Sequence, residues 1–357
     1  MRSTTASVKH FPHGSRPNTL AHKLGLESME LTALTERSDV RGMFTVLSVW
    51  VQIACIFSMM AGAWIYFDLM LAVPVIAIGV VLLAGRQLAL AIVMHEAAHR
   101  TLFKTPWFND VFTNWFSAKV IWNDVHKFRA HHLVHHSNTM AEFDPDRPVY
   151  GGLPVSKASL VRKFGRDLAG LTGLKFLLGR SLMSAGYLQW SDASGVKAEQ
   201  PPENIFQGLV NFCRDVWPTA LTNGLMFLVL YASGHAWLYA CWALAYLIPF
   251  MVFVRIRGMA EHACLEECSD TFKNTRTTRA GWLARVTVAP VHVNFHMEHH
   301  LLASTPHYRL AKLHKILRNR GKVLAPPSYI DVLQLVGSGP NSLSSSKRNI
   351  ETAGNMK

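Results

Sequence analysis

The sequence predicts an all-α integral membrane protein, with four transmembrane helices in two hairpins and a cytoplasmic helical cap that carries three histidine clusters. Three observations lead there. Half of the 357 residues are hydrophobic and only 17% are charged, below the quarter usual in soluble domains. The apolar residues gather into long runs separated by basic segments, as membrane spans and their flanks do. Histidines recur at helical spacing just beyond the ends of those runs.

Residues 1–42 are polar, rich in Ser and Thr and free of acidic residues until Glu27. They predict a flexible tail and carry no apolar stretch of the secretory type. Residues 43–65 form an uncharged run, about 35 Å long as a helix and enough to cross a bilayer. A minimal connector, Tyr66-Phe67-Asp68, leads into a second run over 69–94, interrupted by Gly85-Arg86-Gln87. The two runs predict a helical hairpin. An arginine is costly in lipid, so Arg86 is placed against protein, water or a substrate channel, the alternative being a side chain that snorkels from the helix end. After His99 the chain turns basic, with Trp107, Trp115 and Trp122 interspersed, which suits an interfacial helical segment. Residues 168–187 mix Gly, Leu and Arg and also suit the membrane surface.

A second hairpin is predicted from residues 218–233, a turn at Gly234-His235, and residues 236–254 closed by Arg255 and Arg257. Both arms are short, and a single broken re-entrant element is the alternative reading. Residues 337–357, rich in Ser, Gly and Asn, read as a disordered tail. The membrane domain therefore occupies 43–336.

Parity then fixes the sides. Four crossings that start inside return every histidine cluster to the starting side. The turns on the far side, 66–68 and 233–235, contain no lysine or arginine, as the positive-inside rule requires. The net charge of +13 is explained by those flanks and not by a nucleic-acid surface. Five cysteines form no disulfide framework. Cys264 and Cys268 are four apart, but no second pair completes a zinc site.

The chemistry resides in His95-Glu96-Ala97-Ala98-His99, His131-His132-Leu133-Val134-His135-His136 and His296-Met297-Glu298-His299-His300. Helical positions four apart differ by about 40°, so His95 and His99 share a face. His132, His135 and His136 fall within an arc of about 100°, and His296, His299 and His300 repeat the pattern. His131 lies at the edge of its arc and ranks below His132. Eight histidines so placed exceed what one tetrahedral metal uses, and two metals are the economical reading.

The first cluster also spells the H-E-x-x-H of zinc hydrolases, which would make the chain an intramembrane zinc metalloprotease with Glu96 as general base. That reading leaves two clusters without a task. A histidine-lined metal transporter would place its ligands within the spans along a conduction path, not beyond their ends.

The ordered trio H-x-x-x-H, H-x-x-H-H and H-x-x-H-H resembles the membrane fatty-acid desaturase superfamily. Two clusters stand between hydrophobic hairpins and the third follows the second hairpin. The likeness covers roughly residues 43–317, and the strings at 95–103, 131–146 and 293–302 resemble bacterial members. The resemblance implies two non-haem iron ions held by histidine and a further ligand before the third cluster, for which Glu261-His262 is the matching place. The implied metal ligands are His95, His99, His132, His135, His136, His262, His296, His299 and His300. Relatives can carry an asparagine four positions before that added histidine, holding an iron-bound water. Here Gly258 stands there, and Asn294 is a substitute only if it is not a helix cap or backbone contact.

An unactivated C–H bond offers no acidic proton, so side-chain acid–base chemistry cannot break it. Iron and O2 supply the oxidant while the protein orients the carbon and excludes water. The resemblance favours a desaturase, with hydroxylation the nearby alternative. The substrate class is an acyl chain, or a small specialised metabolite such as an amino acid of the dihydrorhizobitoxine type. The chain carries no haem-binding His-Pro-Gly-Gly string, nucleotide loop or cysteine cluster, so a separate ferredoxin or cytochrome-type donor is expected, steered by the basic cytoplasmic surface. The expected setting is a bacterial inner membrane, multi-pass, with both termini and the histidines cytoplasmic. His126, His292, His307 and His314 read as surface or packing residues, with hydrogen bonds behind the ligands as the alternative. Glu96 and Glu298 are candidates to orient ligands. Asp144 and Asp146 either anchor the second cluster or form a plain turn.

Overall fold

The computed structural model describes residues 24–192 and 195–340. Among them the regular elements are all helical, with only isolated bridges between extended residues. The principal helices are α1 (Ser28–Thr35), α2 (Asp39–Tyr66), α3 (Leu69–Ala98), α4 (Val125–Asn138), α5 (Lys157–Leu168) and α6 (Leu171–Ser184). They continue with α7 (Ile205–Ala232), α8 (Trp237–Leu247), α9 (Pro249–His262), α10 (His296–Leu301), α11 (His307–Asn319) and α12 (Tyr329–Val336).

Helices α2 and α3 follow each other across a short connector and pack side by side. Ser38 caps α2 by accepting from the Arg41 N–H, and Asp68 caps α3 by accepting from Leu71, each satisfying a donor the helix itself leaves free. Val46, Val49, Ile53, Phe57, Met60 and Ala63 are the buried face of α2. They recur three and four apart and form one stripe against α3. The second half of α3 is enclosed on every side, from Leu83 to Ala98 with few breaks. It is the central post of the molecule, and the first histidine cluster is its last turn.

Arg86 belongs to the enclosed part. It donates to Gln52 Oε1 at 2.5 Å and to the carbonyls of Arg285 (3.3 Å) and Val286 (3.1 Å). It faces protein and does not snorkel.

Among the described residues, three helices are long and apolar enough to cross a bilayer: Asp39–Tyr66, Leu69–Ala98 and Trp237–His262, the last being α8 and α9 together. The backbone breaks between them at Ile248 (φ −118°, ψ −82°), just before Pro249, which cannot donate into the preceding turn. Helix α7 differs from the arm expected at 218–233. It starts at Ile205 and runs unbroken through Pro218. Its first half carries Gln207, Asn211, Arg214 and Asp215, so it has the length of a span but not the composition throughout.

Residues 24–42, expected to belong to a flexible tail, are folded. Leu24, Leu26 and Leu34 pack with Leu313 and Leu317 of α11, and Arg320 grips Glu30 through both carboxylate oxygens at 2.9 and 2.8 Å. A few leucines dispersed in a polar segment supply the anchor, which composition averages away. Residues 1–23 and 341–357, the rest of the expected tails, lie outside the described residues.

Candidate metal centre

Local interactions bring the clusters to one end of the central post. Asp124 caps α4 by accepting from His126 and Lys127. Arg129, one turn before the second cluster, donates to the carbonyls of Ala98 (2.7 Å) and Ala97 (3.0 Å) at the end of α3. A guanidinium there complements the negative helix terminus and joins α4 to α3. His262 is the last residue of α9. Helix α10 is a single short helix that carries the third cluster.

The nine histidines expected as ligands meet in two groups. In one, His95, His99, His132, His136 and His299 each offer a ring nitrogen within 4.8 Å of the others. In the second, His135, His262, His296 and His300 do the same. The second and third clusters are thus each divided between the groups. The groups adjoin, since the rings of His136 and His300 stack with centroids 4.0 Å apart.

Several nitrogens approach one another head on: Nε2 of His132 and His136 at 3.0 Å, of His136 and His299 at 3.1 Å, and of His262 and His296 at 2.8 Å. Others are buried with no partner among the described residues, including Nε2 of His95, His99 and His300. An unpaired buried polar atom costs about 1–3 kcal/mol. Converging imidazole lone pairs with nothing to accept from are a donor set that fits a divalent transition metal in each group. The residues present fit two such ions.

Electrostatics favours the neutral form of most of these donors, whereas the Asp144 carboxylate, against the effect of burial, raises the pKa of His135. Burial pulls the His99 pKa down to about 3. Burial, and then the neighbouring imidazoles, hold His132, His136, His296, His299 and His300 well below the ordinary value. A neutral ring presents a lone pair at any physiological pH. The metal-free protein should be acid-sensitive as a result. Below about pH 6.5 the unfolded chain takes up protons that the folded one refuses, so stability is full above that value and lost as pH falls towards 3. His99 withdraws about 1.4 kcal/mol per pH unit across that window, and the others act in the same direction. Thermal unfolding of chelator-treated protein between pH 7 and 4 measures it, and a flat profile refutes it.

The outer ring nitrogens of His135 and His262 are held from behind, which aims the inner ones. His135 Nδ1–H donates to Asp144 Oδ1 at 2.8 Å, and Asp144 is itself held by the Tyr150 hydroxyl (2.5 Å) and the Met140 N–H (3.0 Å). His262 Nδ1–H donates to the Asn274 carbonyl at 3.1 Å, and His296 Nδ1 lies 3.5 Å from Glu261. Asp144→Ala should lower metal affinity about 10- to 100-fold, read as metal retained per chain on dialysis, with unchanged retention as the contrary result.

Other expected residues stand apart. His131 turns away to Asp146 Oδ1 at 2.8 Å. Glu298 accepts from His314 Nδ1–H at 2.7 Å and from the Thr277 hydroxyl, and not from a histidine of either group. Glu96 accepts from the His307 N–H at 2.9 Å and lies 3.5 Å from His95 Nδ1. Asn294 donates its amide to the Thr278 carbonyl at 3.0 Å, a backbone contact. At Gly258 an added Cβ would lie 2.3 Å from Val149 Cγ1. Tyr150 and Asn274 escaped sequence reasoning, because a hydroxyl or a carbonyl behind a ligand leaves no spacing to detect.

Both groups open on a cavity of about 350 Å³ whose lining includes His95, His132, His135, His262 and His296. Its walls include Leu88, Ala91, Met94, Phe128, Phe250 and Val254. The recess ends on metal-capable imidazoles, and its lining combines these apolar walls with charged residues including Arg180, Asp192 and Arg257.

Comparison with known proteins agrees with this arrangement. A dihydrorhizobitoxine desaturase from Bradyrhizobium elkanii is 23% identical over 273 residues, covering 74% of this chain and 71% of that protein. The profile of the fatty acid desaturase family matches residues 70–328, a stretch that includes every histidine of both groups. The match spans most of the molecule and the whole of its histidine centre, and the chain belongs to the fatty acid desaturase family.

Proposed function

We propose that this chain is a membrane di-iron desaturase that introduces a C=C bond into an alkyl substrate, using O2 and electrons from a separate ferredoxin or cytochrome-type donor. The observation that carries the reading is the pairing of two buried histidine groups, one of five and one of four, with a partly apolar cavity that opens on both. His95, His99, His132, His136 and His299 would hold one ion, and His135, His262, His296 and His300 the other. Such a pair, when bound, supplies reductive activation of O2 against unactivated C–H bonds. The protein's part is to place and isolate the carbon. Leu88, Met94, Phe128 and Phe250 exclude water from the recess. The Asp144 carboxylate and the Asn274 carbonyl keep His135 and His262 aimed inward.

In the membrane, α2, α3, α7 and the α8–α9 pair make four crossings, with the histidine end and both chain ends on the cytoplasmic side of a bacterial inner membrane. Two observations support α7 as a span despite its polar first half. It exposes Leu221, Leu225, Leu228 and Val229 along its outer face, and the turn that follows it has no lysine or arginine. The basic residues at the opposite end suit an acidic electron carrier. The catalytic unit is the domain from 43 to 336, against which the folded segment at Leu24, Leu26 and Leu34 packs.

The deciding experiment is anaerobic purification with metal analysis, then aerobic turnover with a reduced donor and mass spectrometry of candidate substrates. Iron near two per chain with loss of two hydrogens from the product supports desaturation. Gain of one oxygen atom turns the assignment to hydroxylation. One zinc per chain with peptide cleavage refutes it in favour of a hydrolase.

A further inference from the structure

Part of the cavity lining is unlike a sleeve for a hydrocarbon. Arg180, on α6, contributes to the lining and is only 4% exposed. One of its terminal nitrogens, Nη2, donates to Asp192. Its Nε and Nη1 are buried and find no partner among the described residues. The guanidinium is sandwiched between aromatic rings, 5.0 Å from the centroid of Phe176 and 4.9 Å from that of Trp190. This packing fixes the plane of the fork and leaves its donors no alternative. A buried guanidinium with two unpaired nitrogens is expensive, and Nη1 beside Nη2, which has a second hydrogen besides the one given to Asp192, offers a carboxylate a pair of donors.

The other arginines of the cavity are already committed. Arg255 donates through two nitrogens to Asp167, and Arg257 donates to Glu261 at 2.7 Å. Arg180 is the one among them with buried nitrogens that find no partner among the described residues. It is also joined to the histidines by a short run of ring contacts. Trp190 lies 6.4 Å from Phe128, and Phe128 stacks on His132 at 4.9 Å. A cavity of about 350 Å³ stands at the small end of ligand pockets.

We propose that Arg180 receives the carboxylate of a small substrate with a free acid group, whose alkyl portion extends along the cavity to the histidines. This deepens the desaturase reading and rests on it for the site of reaction. It selects a small acidic molecule over an acyl chain esterified to lipid or carrier, whose head would bring no carboxylate to the guanidinium. Asp192, on the same guanidinium, keeps the empty site from carrying an uncompensated charge.

The test uses octanoate and methyl octanoate as probes, by equilibrium dialysis against the full chain in detergent, with protein-free micelles subtracted and iron measured in each preparation. Wild type should bind the acid at least ten-fold more tightly than the ester. Arg180→Met should abolish that preference, and Arg180→Lys should retain part of it, since it keeps the charge and loses the fork. Equal binding of acid and ester by wild type overturns the proposal without any variant. So does an Arg180→Met protein that still prefers the acid. If Arg180→Met does not fold, the wild-type preference and the Arg180→Lys value decide. Wild type that binds the acid selectively yet holds no iron sinks the desaturase reading and leaves the carboxylate site standing.

Discussion

Replacing His262 with alanine should remove iron from the four-histidine group and cut turnover by about a hundred-fold or more, whereas His131→Ala should leave both nearly intact. The contrast follows from where each ring points. His262 sits at the end of α9 with Nε2 2.8 Å from His296 Nε2, and its other nitrogen is held by the Asn274 carbonyl. It is one of only four donors in its group, and even residues that merely orient a ligand cost 10- to 100-fold when lost. His131 belongs to the same helix turn as real neighbours of the site but is spent on Asp146. Against burial, which alone would lower it, that carboxylate holds the His131 pKa above its ordinary value. Its loss should appear as a modest fall in thermal stability. Iron per chain and single-turnover oxidation distinguish the two variants. A His262→Ala protein with two irons and ordinary turnover would remove the four-histidine group from the mechanism.

This pair of residues also marks how far the site was legible. Helical spacing separated His132 from His131, because period alone determines which rings share an arc. The same spacing said nothing of His262, an isolated histidine that only the family likeness singled out, and nothing of the division of each later cluster between two groups. That division arises where α4 and α10 approach each other, from chain segments more than a hundred residues apart. Arg180 was invisible for a related reason. Its sequence setting, Gly-Arg-Ser in a segment of Gly, Leu and Arg, reads as membrane surface, and although Phe176 is its i−4 neighbour on α6, it is the approach of Trp190 from beyond the helix that covers the other part of this buried, half-satisfied cation.

The fold divides in the same way. The first pair of helices could be read from composition, since α2 and α3 are predominantly apolar and their connector ends on a capping aspartate. The second could be read only in part. Pro218 suggested a helix boundary, yet α7 continues through it, as tertiary support within a bundle permits. The break actually occurs at Ile248, ahead of Pro249, inside a run that looks continuous by hydropathy. Residues 24–42 failed as a tail because three buried leucines outweigh many polar neighbours once a partner helix exists to cover them.

The largest structural effect should come from Gly85→Ala, a single methyl placed where the chain that leads into the third cluster crosses the post carrying the first. An added Cβ at Gly85 would lie 2.0 Å from the Val286 carbonyl oxygen, 3.1 Å from its carbon and 3.2 Å from Thr287 Cα. Every obstacle is backbone, so no rotamer change relieves it. Overpacking of this kind costs about 1–3 kcal/mol even where side chains can yield, and here the loss should be at the upper end or beyond. The next residue shows why the approach is so close. Arg86 reaches across to the carbonyls of Arg285 and Val286, so Gly85 permits the contact and Arg86 fastens it. Arg86→Leu should therefore act in the same direction by leaving those carbonyls and Gln52 unpaired. In both variants α10 loses its register against α3, and His299, whose ring is 4.5 Å from that of His95, moves off the five-histidine group. Lower thermal stability should thus be accompanied by loss of iron from that group, although neither substitution touches a histidine. Gly62→Ala on α2 is the control, since a Cβ there meets nothing within 4 Å and alanine favours the helix. If Gly85→Ala and Gly62→Ala unfold at the same temperature with the same iron content, the crossing at Val286 does not align the centre, and the alignment must come from the packing of α4 and α11 instead.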